Sequence, residues 1–151
     1  MQLSRRIRQG LLNLRVTRGH KDPALRLQVT NRSRETILAD FVDVAGNGAS
    51  RRKGLLGREG LGPGQGLWIV PCEAVHTFGM RFPIDDVYLD RSKRIMKVQT
   101  GLPPWRLSVC VLAHSVIELP SGTVRRSQCV PGDILEFTSS ILAVDSGEQG
   151  E

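Results

Sequence analysis

The stretch LRLQVT, residues 25–30, alternates strictly between apolar and polar residues. This period of two places the apolar side chains on one face of an extended strand and the polar ones on the other. The polar segment NRSR, residues 31–34, follows as a turn, and a second strand is predicted over 36–44. The two strands together are typical of an antiparallel hairpin.

Short apolar segments recur along the rest of the chain, between turns that contain Gly, Pro or Asp. They predict strands at residues 67–70, 86–89, 94–98, 116–119 and 134–137. Residues 107–114 are ambiguous between strand and helix, and a short helix is predicted over 51–56, with Ser50 as N-cap and Gly57 at its end. The pattern favours a mainly β fold, a small jelly-roll-like sandwich or barrel with one or two short helices.

Charge is distributed unevenly along the 151 residues. Residues 1–36 carry nine basic and two acidic side chains, a surplus of 7, whereas the rest carries twelve basic and thirteen acidic ones, which gives the formal net charge of +6. We therefore expect a basic arm or short helix over 1–23, one β-rich domain over 24–138 and a tail over 139–151. This composition is consistent with a solvated arm. It is also consistent with weak, salt-dependent binding of nucleic acid or acidic lipid through residues 1–36.

Compartment can be predicted from what the sequence lacks. No stretch approaches the roughly 20 apolar residues of a membrane helix, and no secretory signal follows the basic N-terminus. Three cysteines at wide spacing, an odd number, argue against a disulfide framework. We expect a cytoplasmic protein without a transmembrane segment, with its cysteines as thiols.

Four segments, taken in their order along the chain, resemble the motifs of a known protein family. The segments RKGLLGR (52–58), HTFGMRFPID (76–85), VIELPSG (116–122) and PGD (131–133) resemble the bacterial and archaeal family of domains of unknown function numbered 192. The resemblance covers about residues 24–138 and implies a small, β-rich, jelly-roll-like domain. Members of that family are often secreted or lipid-anchored, and this chain differs from them because no secretory signal is predicted in it. The resemblance implies no activity, cofactor or catalytic residue.

The segment 76–82 is central to the candidate site. As a strand it would place His76, Phe78, Met80 and Phe82 on one mostly apolar face, so His76 is expected to be a core histidine. Alternatively, Cys72, His76 and Met80, spaced four apart, are soft or borderline ligands that would suit copper(I) or zinc. The trio matches no known metal signature, so it is a weak candidate, and no cofactor is predicted.

Charged residues embedded in apolar sequence form the second part of the candidate site. Arg58, Arg81 and Arg106 lie among Gly, Pro or apolar residues, as do Asp85, Glu118 and Asp133. Such charges are usually paired when buried, which predicts two or three salt bridges. The alternative is a polar site with one arginine free for an anionic ligand, and Trp105 could wall that site or anchor its loop.

The leading hypothesis is a non-catalytic binding module for a small ligand or a protein partner. Its candidate binding residues are Arg58, His76, Met80, Arg81, Asp85, Trp105, Arg106 and Glu118. The first alternative is a hydrolase-like enzyme in which Asp85 or Glu118 orients His76 as a base, although no Gly-x-Ser-x-Gly motif is present. The second is a basic accessory protein that binds nucleic acid or acidic lipid through residues 1–36.

Overall fold

The computed structural model describes residues 26–140, so the predicted arm over 1–23 and residues 141–151 of the predicted tail lie outside the described residues. The described chain contains nine strands and two short helices. In chain order they are β1 (Arg26–Asn31), β2 (Thr36–Ala45), α1 (Gly48–Lys53), β3 (Gln65–Ile69), β4 (Ala74–His76), β5 (Ile84–Leu89), β6 (Ile95–Leu102), β7 (Leu107–Val109), β8 (Ser115–Pro120), α2 (Thr123–Ser127) and β9 (Leu135–Ser140).

Seven strands form one curled sheet in the order β6-β5-β8-β3-β2-β1-β9, and β4 pairs with β7 in a separate two-stranded sheet. Neighbours run antiparallel except for β2 and β3, which are parallel. The sheet curls so that its two edge strands, β6 and β9, approach one another without pairing along their length. A short contact joins the two edges, where Arg94 forms an isolated bridge to Ile134 and the amide of Ile95 donates to the carbonyl of Asp133 at 2.8 Å. The result is a half-barrel.

Each face of the sheet carries its own hydrophobic cluster. Val87 and Leu89 of β5 pack in the first cluster with Val124 of α2, whereas Ile84 and Tyr88 pack in the second. The second cluster lies beneath β4, β7 and the segment after α1. Because both faces of the central strands are covered, all six residues of β5 are buried, and any polar group on that strand loses its water.

The predicted mainly β fold with one or two short helices is confirmed. The helix α1, however, begins at Gly48 and not at Arg51. Its N-cap is Asn47, whose side chain accepts the amide of Ser50 at 2.8 Å while the Ser50 hydroxyl accepts the amide of Asn47 at 3.2 Å. This capping box makes Ser50 the third helical residue, so the prediction of Ser50 as N-cap was wrong.

Residues 76–82 do not form the strand on which the expected shared face depended. Strand β4 ends at His76, and Phe78 and Gly79 then form a turn in which Gly79 has a φ of +80°. The turn breaks the expected shared face, so that Met80 is buried while His76 and Phe78 are exposed. The expectation of a core histidine therefore fails.

Candidate functional site

A cleft of about 630 Å³ lies between α1 and β4. The last turn of α1 and the two leucines after it form one wall, and the segment from Ile69 to His76 forms the other. Met80, from the turn after β4, and Glu118, from β8, complete the lining. The lining residues are Gly48, Arg51, Arg52, Lys53, Gly54, Leu55, Leu56, Ile69, Pro71, Cys72, Glu73, Ala74, Val75, His76, Met80 and Glu118.

Glu118 is the polar group at the floor of this cleft. Strand β8 pairs with β5 and β3, so that Glu118 lies between Asp86 and Leu67 on the face of the second cluster. The residue is 3% exposed, and its Oε2 has no hydrogen-bond partner within the described residues. Burial is the main cause that raises the pKa of Glu118 to about 8; the charge of Asp86 adds to the effect and Arg58 opposes it.

Asp86 stands directly opposite Glu118 on β5. It is fully buried, and neither of its carboxyl oxygens has a hydrogen-bond partner among the described residues. Burial raises the pKa of Asp86 to about 7, with a contribution from Asp85 and an opposing one from Lys97. At pH 7 Glu118 is therefore mostly protonated, whereas the facing Asp86 is near the midpoint of its titration. Asp86 was not among the predicted site residues; its only signal in the sequence is a second acid in the apolar run IDDVYL.

Positive charge concentrates at the rim. Arg51, Arg52 and Lys53 occupy the last turn of α1, where cations interact favourably with the helix dipole. None of the three forms a salt bridge with an acid of the described chain. One acid shares the rim, Glu73, and its Oε1 accepts the amide of Leu112 at 3.1 Å. The cleft therefore has a cationic entrance above an acidic floor.

Cys72 lies between these two charged regions. Its Sγ donates to the carbonyl of Ala74 at 3.1 Å. Burial raises the pKa of the thiol; Glu118 raises it further and Arg51 lowers it, so both charges act on the same sulfur. The predicted soft-ligand residues Cys72, His76 and Met80 all line the cleft, but residues 26–140 contain no group of three or more His, Cys, Asp or Glu side chains that could hold a metal ion.

His76 is exposed at the edge of the cleft. Its ring stacks on Phe78 with centroids 5.3 Å apart, and Phe78 stacks in turn on Trp105 at 6.2 Å. Trp105 is 64% exposed and does not line the cleft, so it neither walls the site nor anchors its loop in the core. Within the described chain His76 makes no hydrogen bond to a carboxylate.

Asp85 faces away from the cleft. Its carboxylate accepts backbone amides of Gly101, Gly122 and Val124 at 2.8, 3.1 and 2.9 Å. These bonds join β6 and the start of α2 to β5. The proposed pairing of His76 with Asp85 is therefore wrong, because successive residues of a strand point to opposite faces and Asp85 is committed to the other one.

The arginines predicted for the site lie outside it. Arg58 donates to Asp43 at 3.2 Å, whereas Arg81 and Arg106 are exposed. Of the eight predicted binding residues, the structure brings His76, Met80 and Glu118 to the cleft. The other five, Arg58, Arg81, Asp85, Trp105 and Arg106, do not line it. The cations of α1, which do, were seen in the sequence only as part of a helix.

Salt bridges occupy the part of the predicted polyanion-binding region that the structure describes. Arg26 pairs with Asp43 at 3.8 Å, Arg32 with Glu136 at 3.5 Å, and Arg34 with Asp133 at 2.6 Å. These arginines thus have acidic neighbours within the domain.

Among residues 26–140, no helix has the length and apolar character needed to cross a bilayer.

Relatives with solved structures share this fold. A proposed transcription regulator from Sinorhizobium meliloti 1021 superposes with a TM-score of 0.66 at 22% identity, over 75% of this chain and 92% of its own. A protein of unknown function from Novosphingobium aromaticivorans gives 0.65 at 21% identity, over 82% and 94%. At such identities the likeness establishes the fold alone.

Sequence comparison establishes the family. A UPF0127 protein of Pyrococcus abyssi is 33% identical over 116 residues, which are 72% of this chain and 96% of that protein. A UPF0127 protein of Thermococcus kodakarensis is 31% identical over 78 residues, which are 48% of this chain and 49% of its own length. The family model DUF192, described as "Uncharacterized ACR", matches residues 28–137. The chain therefore belongs to the DUF192 family, as the resemblance of its motifs predicted.

Proposed function

We propose that this protein is a binding module that holds a small polar molecule in the cleft between α1 and β4. The observation that carries the proposal is Glu118, a buried carboxyl group at the cleft floor whose Oε2 has no hydrogen-bond partner in residues 26–140. A ligand that donates a hydrogen bond to this oxygen would supply the missing partner.

The energetics support a ligand over a purely structural role. Burying a polar group without a hydrogen bond costs on the order of 1–3 kcal/mol, and an ionised one costs more. A leucine or methionine would fill the same space on β8 without this cost. Perturbed carboxyl groups beside a cleft are typical of functional sites, because there the cost is offset when the partner binds.

A hydrolase-like enzyme has less support. His76 and Glu118 both line the cleft, but a general base needs an orienting partner, and His76 has no hydrogen bond to a carboxylate in the described chain. Polyanion binding through residues 1–36 also has less support, because Arg26, Arg32 and Arg34 each lie beside an acid.

The proposal is tested by screening a chemically diverse fragment library by protein NMR on the full chain. We expect hits that displace the backbone amide resonances of residues 51–56 and 72–76, and that lose affinity at least tenfold in Glu118→Gln. The matched control is Glu136→Gln, which alters an acid on β9 that pairs with Arg32 far from the cleft. Hits that all map elsewhere, or that bind both variants equally, would refute the proposal.

A further inference from the structure

The chemistry of the cleft changes from its rim to its floor, and this change restricts the ligand. The rim carries Arg51, Arg52 and Lys53 without acidic partners in the described chain, which suits an anionic group. The floor carries the unpartnered oxygen of Glu118 with Asp86 behind it, which suits a donor with positive charge. A ligand that satisfies both must therefore be charged at both ends.

Apolar side chains make up much of the rest of the cleft lining. They are Leu55, Leu56, Ile69, Val75 and Met80. Arg51, Cys72 and Glu118 line the same cleft of about 630 Å³, so the two charged regions are close. The middle of the ligand should therefore be short and largely aliphatic.

We propose that the cleft binds a small amphoteric molecule, whose protonated amine contacts Glu118 at the floor and whose carboxylate or phosphate contacts Arg51 and its neighbours at the rim. This inference rests on the proposed function and names its ligand class. The contacts are charge-assisted at both ends, and the short aliphatic link packs on the leucines of the wall.

The free protein and the complex should differ in protonation. With a pKa of about 8, Glu118 is mostly protonated at pH 7 before the ligand binds. An ammonium group beside the carboxyl favours its charged form, so binding releases a proton. The affinity should then rise roughly tenfold per pH unit between pH 6 and 8, where the amine itself stays protonated.

Other charged groups around Glu118 also contribute to this pH dependence. Asp86 approaches it from β5, Arg58 from the loop after α1, and Cys72 from the segment before β4; Lys97 of β6 and Tyr88 of β5 act through Asp86. Since Asp86 also has a raised pKa, part of the released proton can come from it. Proton release therefore belongs to the pair of carboxyl groups.

Isothermal titration calorimetry with ω-amino acids of increasing length tests this inference. Glycine, β-alanine, 4-aminobutyrate and 6-aminohexanoate serve as probes, and 2-aminoethyl phosphate replaces the carboxylate by phosphate. Butylamine and butyrate are the controls that lack one charged end. We expect at least one bifunctional probe to bind ten times more tightly than either control, with close to one proton released at pH 7 in buffers of different ionisation enthalpy.

Two variants test the contacts at the two ends of the ligand separately. Glu118→Gln should reduce proton release and lower affinity at least tenfold. Arg51→Gln should remove the preference over butylamine and leave proton release intact. Arg125→Gln is the matched control, because Arg125 lies in the last turn of α2, away from the cleft. Thermal unfolding verifies that each variant is folded.

The inference is overturned if butylamine binds as tightly as the amino acids, or if no probe binds at 10 mM. In the second case, fragment hits of another chemical class that depend on Glu118 would leave the proposed function standing. Failure of both experiments would remove the function as well as the ligand class.

Discussion

Two adjacent acids on β5 have opposite roles at the scale of the single residue. Asp85 accepts three backbone amides and stabilises the junction of β6 with α2. Asp86, on the opposite face of the same strand, has two buried oxygens without a hydrogen-bond partner in residues 26–140. Residues of the same type thus contribute stability or cost it, according to what faces them.

Asp86→Asn should make the protein more stable in base. The pKa of Asp86 is raised to about 7 when folded, so the folded state binds more protons than the unfolded one above about pH 4. The stability that the acid contributes is complete below that pH and is lost as the pH rises through 7. The amide does not ionise, so ΔΔG of unfolding should favour the variant by about 2 kcal/mol more at pH 8 than at pH 5 in urea titrations.

Asp85→Asn is the matched control for that prediction. It disturbs three satisfied hydrogen bonds and should destabilise the fold by about 2–3 kcal/mol at both pH values. Equal behaviour of the two variants, or a pH-independent effect of Asp86→Asn, would contradict the assignment of an unsatisfied carboxyl group on β5.

The sequence predicted part of the site at this scale. Glu118 could be identified because an acid stands alone in the apolar run VIEL, where it must be buried if the run is a central strand. Which of Asp85 and Asp86 faces the cleft could not be identified, because the backbone amides that Asp85 accepts come from residues 16 to 39 positions away. The role of Arg51 depends on the position of α1 against β4, which no local pattern contains.

At the scale of secondary structure, Thr77 joins β4 to the loop before β7. It is fully buried, its hydroxyl donates to the carbonyl of Pro103 at 2.7 Å, and it accepts the amide of Arg106 at 2.9 Å. The backbone amides of Trp105 and Met80 both donate to its carbonyl. A single residue therefore fixes the wall of the cleft and the stack of His76, Phe78 and Trp105 beside it.

Thr77→Val should destabilise the protein by about 1–3 kcal/mol, because the isosteric side chain removes the hydroxyl that bonds the carbonyl of Pro103 and the amide of Arg106. In a Trp68→Phe background, the fluorescence of Trp105 should also become more accessible to acrylamide. Thr77→Ser keeps the hydroxyl and should retain both properties. Unchanged stability in the valine variant would show that the hydroxyl does not hold β4 in place.

The long strands could be predicted from the sequence and the short ones could not. Strands β1, β2, β5 and β8 have six to ten residues, so their alternation or apolar character is visible locally. Strands β4 and β7 have three residues each and exist because they pair with one another. Helix α2 follows Gly122, which has a φ of +92° and no side-chain cap, so the usual start signal is absent.

At the scale of the whole molecule, closure of the half-barrel depends on Asp133. Its carboxylate accepts hydrogen bonds from the side chains of Asn31 at 2.8 Å and Arg34 at 2.6 Å. Its backbone carbonyl accepts one from the amide of Ile95, which joins the two edges of the sheet. Burial alone would raise the pKa of Asp133, but the bonds from Asn31 and Arg34 outweigh it and lower the pKa. Strands β1, β6 and β9 thus meet near an acid whose charged form is favoured by its hydrogen bonds.

Two groups of acids therefore act on the stability of the molecule in opposite directions. The lowered pKa of Asp133 contributes stability that is present above about pH 4 and is lost as the pH falls below it. The raised pKa values of Asp86 and Glu118 contribute stability that is complete below about pH 4 and is lost as the pH rises through 7 and 8. Together they predict a stability maximum between about pH 4 and 6, far from the pI near 9.9.

Urea unfolding from pH 3 to 9 locates that maximum. In wild-type protein we expect the free energy of unfolding to fall by about 2–4 kcal/mol between pH 5 and 9. Glu118→Gln should flatten the basic side of the profile, whereas Asp133→Asn should lower stability most at pH 5–9 and flatten the acidic side. A ligand that pairs with Glu118 should flatten the basic side in wild-type protein alone. A wild-type profile that rises steadily towards pH 9 would contradict the buried, unpaired state of the two carboxyl groups beside the cleft.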